Sequence, residues 1–278
     1  MLFSSNMWLK CNIGKIVLVS LLVVIMLFTS GTLYVASLYY HISLKSGSSL
    51  RVFNASPFNN RNSVIMIIPG GGYSILSKWN EGYYWVPFFH RLGYTVAVLE
   101  YRLPAHDYAI PMYDASEAIT AIKKMTSDNA KIGLMGFSAG GHLVSTMMVL
   151  DNDSLRPDFV LLFYPVVSMR KELTHLGSRN NLLGINPSDE LVYKFSNELH
   201  ISEKNPPVFI AVSIDDNLVN PLNSIVLFNE IKAKGRRASL HIYPKGGHGW
   251  GYRRQFPYRQ QMITDMVNWL DSLNNLMN

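Results

Sequence analysis

The chain has a single cysteine among its 278 residues, and this scarcity limits its chemistry. That residue, Cys11, precedes a long apolar segment near the N-terminus, so no intramolecular disulfide can form. Histidine occurs eight times, but no pair follows the H-E-x-x-H spacing or a comparable ligand pattern. We therefore expect no disulfide, no catalytic metal and no cofactor.

Charged residues are also scarce, at 16% of the chain, and the formal net charge is +6. Three of the positive charges belong to Lys10, Lys15 and Lys45, which flank the apolar segment. The remainder of the chain then carries only about +3, since 6 minus 3 is 3. A nucleic-acid-binding surface needs a dense basic stripe, so we do not expect nucleic acid as a partner.

Residues 16–44 contain no Asp, Glu, Lys or Arg. Their apolar part, residues 16–40, has about 25 residues and as a helix would be roughly 37 Å long. That length is sufficient to cross a bilayer. We therefore predict a transmembrane signal anchor over residues 16–40.

The flanks of this segment predict its orientation. Lys10 and Lys15 favour a cytoplasmic N-terminus over residues 1–15, and Tyr34, Tyr39 and Tyr40 suit the opposite interface. This orientation predicts that the rest of the chain is periplasmic or extracellular. A cleavable signal peptide, which gives a secreted protein, and a buried core helix are the alternatives.

The motif G-x-S-x-G occurs at Gly136-Phe137-Ser138-Ala139-Gly140, directly after the apolar run of residues 131–135. A strand that turns sharply into a helix exposes a serine hydroxyl, and flanking glycines avoid clashes with the neighbouring strand and helix. Ser138 is therefore the candidate nucleophile. A Gly-rich turn with a capping serine is the alternative.

A serine nucleophile needs a base and an orienting acid, in the chain order serine, acid, histidine. An apolar strand over residues 208–213 is followed by Asp215 and Asp216, and the next predicted strand is followed by a glycine loop that contains His248. Both groups lie at the carboxyl ends of strands, where the sites of open α/β sheets occur. The sequence predicts a triad of Ser138, one of the two aspartates and His248.

The apolar strand of residues 64–68 precedes a second glycine turn that contains Gly71 and Gly72. Backbone N–H groups in such a turn stabilise the oxyanion of a tetrahedral intermediate. We assign the oxyanion donors to Ala139 and to Gly71 or Gly72. A phosphate-binding loop is the competing interpretation, but Ile75 stands where its third glycine belongs and no Walker lysine follows.

Apolar runs alternate with longer amphipathic stretches, which predicts an α/β fold with a mostly parallel sheet and helices on both faces. The predicted strands are Ser63 to Ile68, Thr95 to Tyr101, Lys131 to Met135, Phe159 to Phe163, Pro207 to Ser213 and Ser239 to Tyr243. The predicted helices are Met112 to Met125, Gly140 to Val149, Pro221 to Lys234 and Tyr258 to Leu276.

We expect one catalytic domain over residues 41–278, because a chain of this length can bury one large sheet core. The pattern breaks between residues 168 and 204, where the sequence is polar and rich in Asn, with one predicted helix from Pro187 to Leu199. Long insertions are often lids, so we predict a small cap here. A solvated surface excursion is the alternative.

At these motifs the sequence resembles the small serine esterases of the α/β-hydrolase superfamily, in particular bacterial enzymes similar to acetyl xylan esterases and feruloyl esterases. The matching stretches are Pro69 to Tyr73, Tyr101 to Leu103, Gly136 to His142, Arg156 to Val166, Gly177 to Arg179, Asn197 to Leu199, Asp215 to Asp216 and Lys245 to Gly249. The resemblance implies an α/β-hydrolase fold and a serine hydrolase with Ser138, His248 and Asp215, the first of the two aspartates, as its triad. It also implies Gly71, Gly72 and Ala139 near the oxyanion.

The predicted function is therefore hydrolysis of small acyl esters, with acetyl esters of carbohydrates favoured by the resemblance alone. A serine exopeptidase and a non-catalytic binding protein with a hydrolase fold are the alternatives. Among the aromatic residues that could stack on a sugar or an aromatic acyl group, Tyr73 and Trp250 adjoin the predicted oxyanion and base loops, and we predict that both line the substrate pocket. The sequence does not predict an oligomeric state.

Overall fold

The structure is a computed structural model, in which residues 39–274 are described. An eight-stranded sheet lies at its centre, in the order β1-β2-β4-β3-β5-β6-β7-β8. The strands are β1 (Tyr39–Ser43), β2 (Ser49–Phe53), β3 (Ser63–Ile68), β4 (Thr95–Glu100), β5 (Lys131–Phe137), β6 (Phe159–Phe163), β7 (Val208–Ser213) and β8 (Ala238–Tyr243). Strands β3 to β8 are parallel, whereas β2 runs antiparallel to β4 and β1 antiparallel to β2.

All six predicted strands are present, each within about two residues of its predicted bounds. Every residue of β3, β6 and β7 is buried. Parallel strands that are covered on both faces bury both sets of side chains, so they appear in the sequence as continuous apolar runs. The α/β prediction with a mostly parallel sheet is confirmed.

Helices cover both faces of the sheet. The core on one face includes Ile119 and Leu143 from the helices α2 (Ala109–Met125) and α3 (Ser138–Val149), and Leu227 from the later helix over Leu222–Ala233. The opposite core includes Phe89 from α1 (Val86–Arg91) and Met266 from the C-terminal helix over Arg259–Asn274. The four helices predicted outside residues 168–204 are present, and α1 was not predicted.

The β1 and β2 hairpin was not predicted, and it corrects one end of the predicted membrane segment. Tyr39 and Tyr40 open β1 and pair with Phe53 and Val52, so they are not part of a helix. The boundary was misplaced because β1 begins with apolar and aromatic residues. The mean hydropathy therefore does not fall where the preceding apolar segment ends and the strand begins. The rest of the prediction, residues 1–38, lies outside the described residues. Between residues 39 and 274 there is no helix with the length and apolar character needed to span a bilayer.

The segment 168–204 contains two short helices, α4 (Leu176–Leu183) and α5 (Asp189–Lys194), and a 3₁₀ turn over Asn197–His200. The single predicted helix from Pro187 to Leu199 is therefore divided. The later helices are α6 (Leu222–Ala233) and α7 (Arg259–Asn274). Helix α4 was not predicted because its sequence favours a helix only weakly. Two contacts stabilise it: the His175 side chain accepts a hydrogen bond from the Ser178 N–H at the start of the helix, and Leu182 is buried.

Candidate active site

Ser138 lies at the junction of β5 and α3, with no intervening loop. Its φ is +50°, a conformation that residues other than glycine rarely adopt. The turn is possible only because its neighbours lack side chains: a Cβ on Gly136 would lie 2.6 Å from the Gly140 carbonyl oxygen, and a Cβ on Gly140 would overlap the Ile68 carbonyl oxygen. The predicted strand-turn-helix geometry around Ser138 is present.

The imidazole of His248 joins Ser138 to a carboxylate. His248 Nε2 lies 2.9 Å from Ser138 Oγ, and His248 Nδ1 lies 2.6 Å from Asp216 Oδ2. A carboxylate only accepts hydrogen bonds, so Nδ1 carries the proton and the Nε2 lone pair faces the serine hydroxyl. This is the arrangement in which a histidine can remove the serine proton.

The carboxylate at His248 belongs to Asp216, so the choice of Asp215 is wrong. Asp216 is 5% exposed, and its second oxygen accepts hydrogen bonds from the Leu218 and Val219 amides at 3.0 and 2.9 Å. It therefore caps its own turn and orients the imidazole at the same time. The resemblance placed the acid at the first aspartate, whereas the turn after β7 directs the second one towards the histidine.

Asp215 contacts the same loop in a different way. Its side chain is exposed and accepts hydrogen bonds from the Gly246 and Gly247 amides at 3.3 and 2.8 Å. Both amides precede His248 in the chain. Asp215 thus holds the backbone of the histidine loop, and Asp216 holds the histidine ring.

The predicted oxyanion turn has three consecutive residues with positive φ: Gly71 at +125°, Gly72 at +64° and Tyr73 at +60°. The Gly71 carbonyl accepts from the Ser74 and Ile75 amides at 3.0 and 3.1 Å, which fixes the peptide that carries the Gly72 N–H. Carbonyl and amide of one peptide point in opposite directions. The Gly72 N–H therefore points away from the turn.

Within residues 39–274, the amides of Gly71 and Gly72 donate to no backbone carbonyl. Gly70 lies against the nucleophile turn, since a Cβ on it would be 2.8 Å from Ser138 Cβ. Ala139 also lies in the first turn of α3, where the amides of a helix have no partner and the helix dipole is positive. The amides of Gly71, Gly72 and Ala139 are therefore candidate donors to an anionic oxygen at Ser138.

Glu81 is a buried carboxylate of this site that sequence reasoning missed. Its Oε2 accepts from the Gly70 amide at 3.0 Å, and its Oε1 accepts from the Tyr164 hydroxyl at 2.8 Å. Burial raises the pKa of Glu81, and the hydrogen bonds from Tyr164 and Gly70 act against that rise. Glu81 occurs alone in a loop without any recognised spacing, so no signal in the sequence identified it.

Tyr164 extends this contact to the histidine loop. Its hydroxyl oxygen accepts from the Gly251 amide at 2.8 Å, and its ring packs edge-on against His248 with 4.7 Å between centroids. Through Tyr164, Glu81 connects the oxyanion turn with the loop that carries the base.

The two aromatic residues predicted to line the pocket are instead in the core. Trp250 is 3% exposed, stacks on Phe256 with 4.1 Å between centroids, and donates its indole N–H to Ser213 Oγ. Tyr73 is 2% exposed, and its hydroxyl bonds to His142. Both predictions are therefore wrong, because adjacency in sequence to a site loop does not determine which way a ring points.

His142 lies beneath the nucleophile turn and is neutral. Its Nε2 is 2.9 Å from the Phe195 carbonyl, which can only accept, so its Nδ1 accepts from the Tyr73 hydroxyl at 3.0 Å. Burial lowers the pKa of His142 to about 4. The residue joins α3 to the segment 168–204 and takes no part in proton transfer at Ser138.

The segment 168–204 also reaches the oxyanion turn from above. Asn181 of α4 donates to the Gly72 carbonyl at 2.8 Å, and the His175 ring lies 3.8 Å from where a Gly72 Cβ would be. Burial lowers the pKa of His175, and the nearby His248 adds to this effect. Between residues 39 and 274, no group of three His, Cys, Asp or Glu side chains is arranged to hold a metal ion.

Comparison with known families gives a match over most of the described domain. Residues 111–275, more than half of the chain, match the model of the prolyl oligopeptidase family. The matched region begins in α2 and includes Ser138, Asp216 and His248.

Two relatives act in sugar-polymer chemistry according to their names. The chain is 36% identical over 229 residues to an acetylxylan esterase of Xylanibacter ruminicola, covering 78% of this chain and 47% of that protein. It is 33% identical over 210 residues to endo-1,4-beta-xylanase B of Butyrivibrio fibrisolvens, covering 68% of this chain and 32% of that protein. The chain thus spans half or less of the length of these relatives.

Among solved structures, the acetyl ester-xyloside bifunctional hydrolase of Caldicellulosiruptor lactoaceticus is similar with a TM-score of 0.74 and 29% identity, covering 90% of this chain and 92% of that one. A sugar hydrolase of Lactococcus lactis has the same TM-score at 20% identity, covering 86% and 100%, which establishes the fold alone. The expected resemblance to small α/β-hydrolase esterases is confirmed.

Proposed function

Because the chain belongs to the prolyl oligopeptidase family of α/β-hydrolases, we propose that it is a serine esterase that removes small acyl groups, acetyl above all, from carbohydrates. The observation that carries this proposal is the hydrogen-bonded line from Ser138 through His248 to Asp216, with Gly70 of the glycine turn close against the serine. The names of the relatives support esters of xylan-type sugars as the substrate class.

The proposed reaction has two halves. His248 Nε2 takes the proton of Ser138 Oγ as this oxygen attacks the acyl carbon, and the carbonyl oxygen becomes an oxyanion that faces the amides of Ala139 and of Gly71 or Gly72. The imidazolium, stabilised by Asp216, then gives its proton to the departing sugar hydroxyl. Water repeats the sequence on the acyl-enzyme and releases the carboxylic acid.

In this proposed mechanism the amides contribute a large part of the barrier reduction. Removing one oxyanion donor in comparable enzymes lowers kcat by about 10² to 10³. Here the donors are backbone groups, held by the Gly71 carbonyl contacts and by Asn181 on the Gly72 carbonyl. We expect these donors to be in place before substrate binds, so that little reorganisation accompanies the reaction.

Labelling with a fluorophosphonate probe tests the proposal directly, because only an activated serine reacts. We expect labelling of the wild-type protein, none of Ser138→Ala, and hydrolysis of p-nitrophenyl acetate that greatly exceeds that of dipeptide anilides. Faster cleavage of the anilides would assign the site to peptides instead. Absence of labelling in folded protein would favour a non-catalytic binding protein.

We also propose that the uncharged segment before β1 carries the catalytic domain out of the cytoplasm, either as a membrane anchor or as a cleaved signal. Its support is the lack of charge between Lys15 and Lys45. A full-length protein that stays with membranes after carbonate washing, while a shortened chain beginning at Ser37 does not, supports the anchor. Recovery of a trimmed, unbound form from the native host supports cleavage, and full-length protein free in the cytoplasm contradicts both.

A further inference from the structure

A group of aromatic rings lies exposed on the loop that follows the oxyanion turn. Trp79 is 60% exposed and Tyr84 is 53% exposed. The Trp79 ring lies 5.2 Å from the half-buried Tyr83 ring and 6.1 Å from the Tyr84 ring, measured between centroids. We call these three residues the aromatic surface. An indole exposed to this extent beside other rings marks a binding surface more often than a scattered surface residue does.

Charged groups border the aromatic surface. A groove of about 400 Å³ runs beside Trp79 and Tyr83 and is lined by Arg51, Lys78 and Glu100. Glu100 accepts from Arg51 at 3.1 Å and from Lys78 at 3.2 Å, and it also accepts from the Tyr83 hydroxyl. The Arg51 and Lys78 side chains remain 38% and 39% exposed, so both still have donors that face solvent.

The aromatic surface is tied to the catalytic loops by the residues that follow Trp79. Asn80 donates its side-chain amide to the Gly249 carbonyl at 3.0 Å, and its own carbonyl accepts from the Tyr252 amide at 3.1 Å. Gly249 is the neighbour of His248. The aromatic surface therefore lies on the segment that is hydrogen-bonded to the histidine loop.

We propose that the aromatic surface of Trp79, Tyr83 and Tyr84 is a subsite that binds sugar rings of a polysaccharide whose acyl group is presented to Ser138. A pyranose ring has an apolar C–H face that fits an indole, and hydroxyls around its edge that need donors and acceptors. The Arg51, Lys78 and Glu100 groups provide both. This inference rests on the proposed function, since it assumes that the substrate is a carbohydrate ester.

The charged border favours a sugar over a protein as the occupant. The centres of protein interfaces are depleted of charged residues, because burying them there is costly. A bound sugar ring covers the aromatic face and forms hydrogen bonds with some polar groups at its edge, while the other polar groups there keep their water. The Arg51, Glu100 and Lys78 ion pairs can therefore stay solvated while a sugar lies on Trp79.

The test compares Trp79→Ala with the wild type on two substrates, acetylated xylan oligosaccharides and p-nitrophenyl acetate. We expect KM for the oligosaccharides to rise about tenfold, with kcat/KM for p-nitrophenyl acetate unchanged within twofold. Phe58→Ala is the matched control, because Phe58 is 85% exposed but precedes β3, at the end of the sheet opposite the site. It should leave both substrates unaffected. Trp79→Phe, which keeps a smaller ring, should give an intermediate KM.

The outcomes separate the subsite from the proposed function. An unchanged oligosaccharide KM in both Trp79→Ala and Tyr84→Ala overturns the subsite. If the wild type hydrolyses p-nitrophenyl acetate but no sugar ester, the esterase survives and the subsite is refuted. If no ester is cleaved, the subsite is tested by the binding of unacetylated xylan to Ser138→Ala. Binding that is lost when Trp79→Ala is added supports the subsite, and absence of binding overturns it. Loss of liposome binding in Trp79→Ala without any effect on xylan would make the surface a membrane contact and overturn the proposal.

Discussion

Asp216→Asn is expected to lower kcat by about 10⁴, by the same loss of tautomer control that affects other serine hydrolases. Asp216 Oδ1 already accepts from two backbone amides, so an asparagine should keep its oxygen there and turn its NH₂ group towards His248. The NH₂ group can only donate. His248 would then accept at Nδ1 and carry its proton at Nε2, facing Ser138, where it could no longer take the serine proton.

Asp215→Asn is the matched comparison, because it changes the adjacent carboxylate by the same atoms. Its contacts are to the Gly246 and Gly247 amides on an exposed side chain, and the asparagine oxygen can retain one of them. A typical hydrogen bond contributes about 1 kcal/mol net, so loss of one contact should lower kcat by roughly tenfold or less. The two variants should thus differ by about a thousandfold.

The assay is kcat for p-nitrophenyl acetate on both variants, with circular dichroism and melting temperature to show that each is folded. Burst amplitude reports acylation separately, because the loss in Asp216→Asn lies in the attack of Ser138. A larger loss in Asp215→Asn than in Asp216→Asn, with both proteins folded, would refute the tautomer argument and return the orienting role to Asp215.

Three further outcomes are expected. Glu81→Gln should lower kcat while leaving KM within about twofold, because the side-chain amide has one oxygen in place of the two that accept from Gly70 and Tyr164. Glu81→Asp, which keeps the carboxylate but is shorter, should also have a lowered kcat. A fall in kcat that only parallels a fall in melting temperature would indicate a structural role alone. The pKa of His142 in the folded protein, about 4, lies below the ordinary value of 6.5. The unfolded state therefore binds a proton first as the pH falls, and the free energy of unfolding should decrease by about 3 kcal/mol between pH 6.5 and pH 4. Urea titrations of His142→Gln should show a smaller decrease over that range, and an equal decrease would show that another group is responsible. Acetyl esters should be hydrolysed much faster than palmitoyl esters, because the short segment 168–204 offers little apolar groove, and equal turnover of the two would contradict this.

The parts of the fold that the sequence predicts well are those with one dominant physical signal. Strands β3, β6 and β7 are continuous apolar runs because both faces of a parallel sheet are covered. Ser138 was identifiable because its turn requires glycines at fixed positions, and His248 because it follows a strand in a glycine loop. In each case a local constraint acts on adjacent residues.

The parts that were mispredicted depend on which way a side chain leaves the backbone. Asp215 and Asp216 are equivalent in sequence, and only the turn after β7 decides that the second reaches the histidine. Tyr73 and Trp250 point into the core, whereas Trp79 and Tyr84 are exposed. Side-chain direction in irregular loops is set by contacts with distant segments, so no pattern of neighbouring residues encodes it.

The contacts of Glu81 have a consequence for protein engineering. One carboxylate binds the oxyanion turn directly and the histidine loop through Tyr164, so three segments that are far apart in sequence share a single support. Replacing the oxyanion turn or Tyr164 with the sequence of a relative would disturb a partner of the buried Glu81 carboxyl group, and replacing the histidine loop would disturb the Gly251 partner of Tyr164. Loops of this site should therefore be exchanged only as a matched set, and chimaeras that move one loop alone should lose activity even when every catalytic residue is retained.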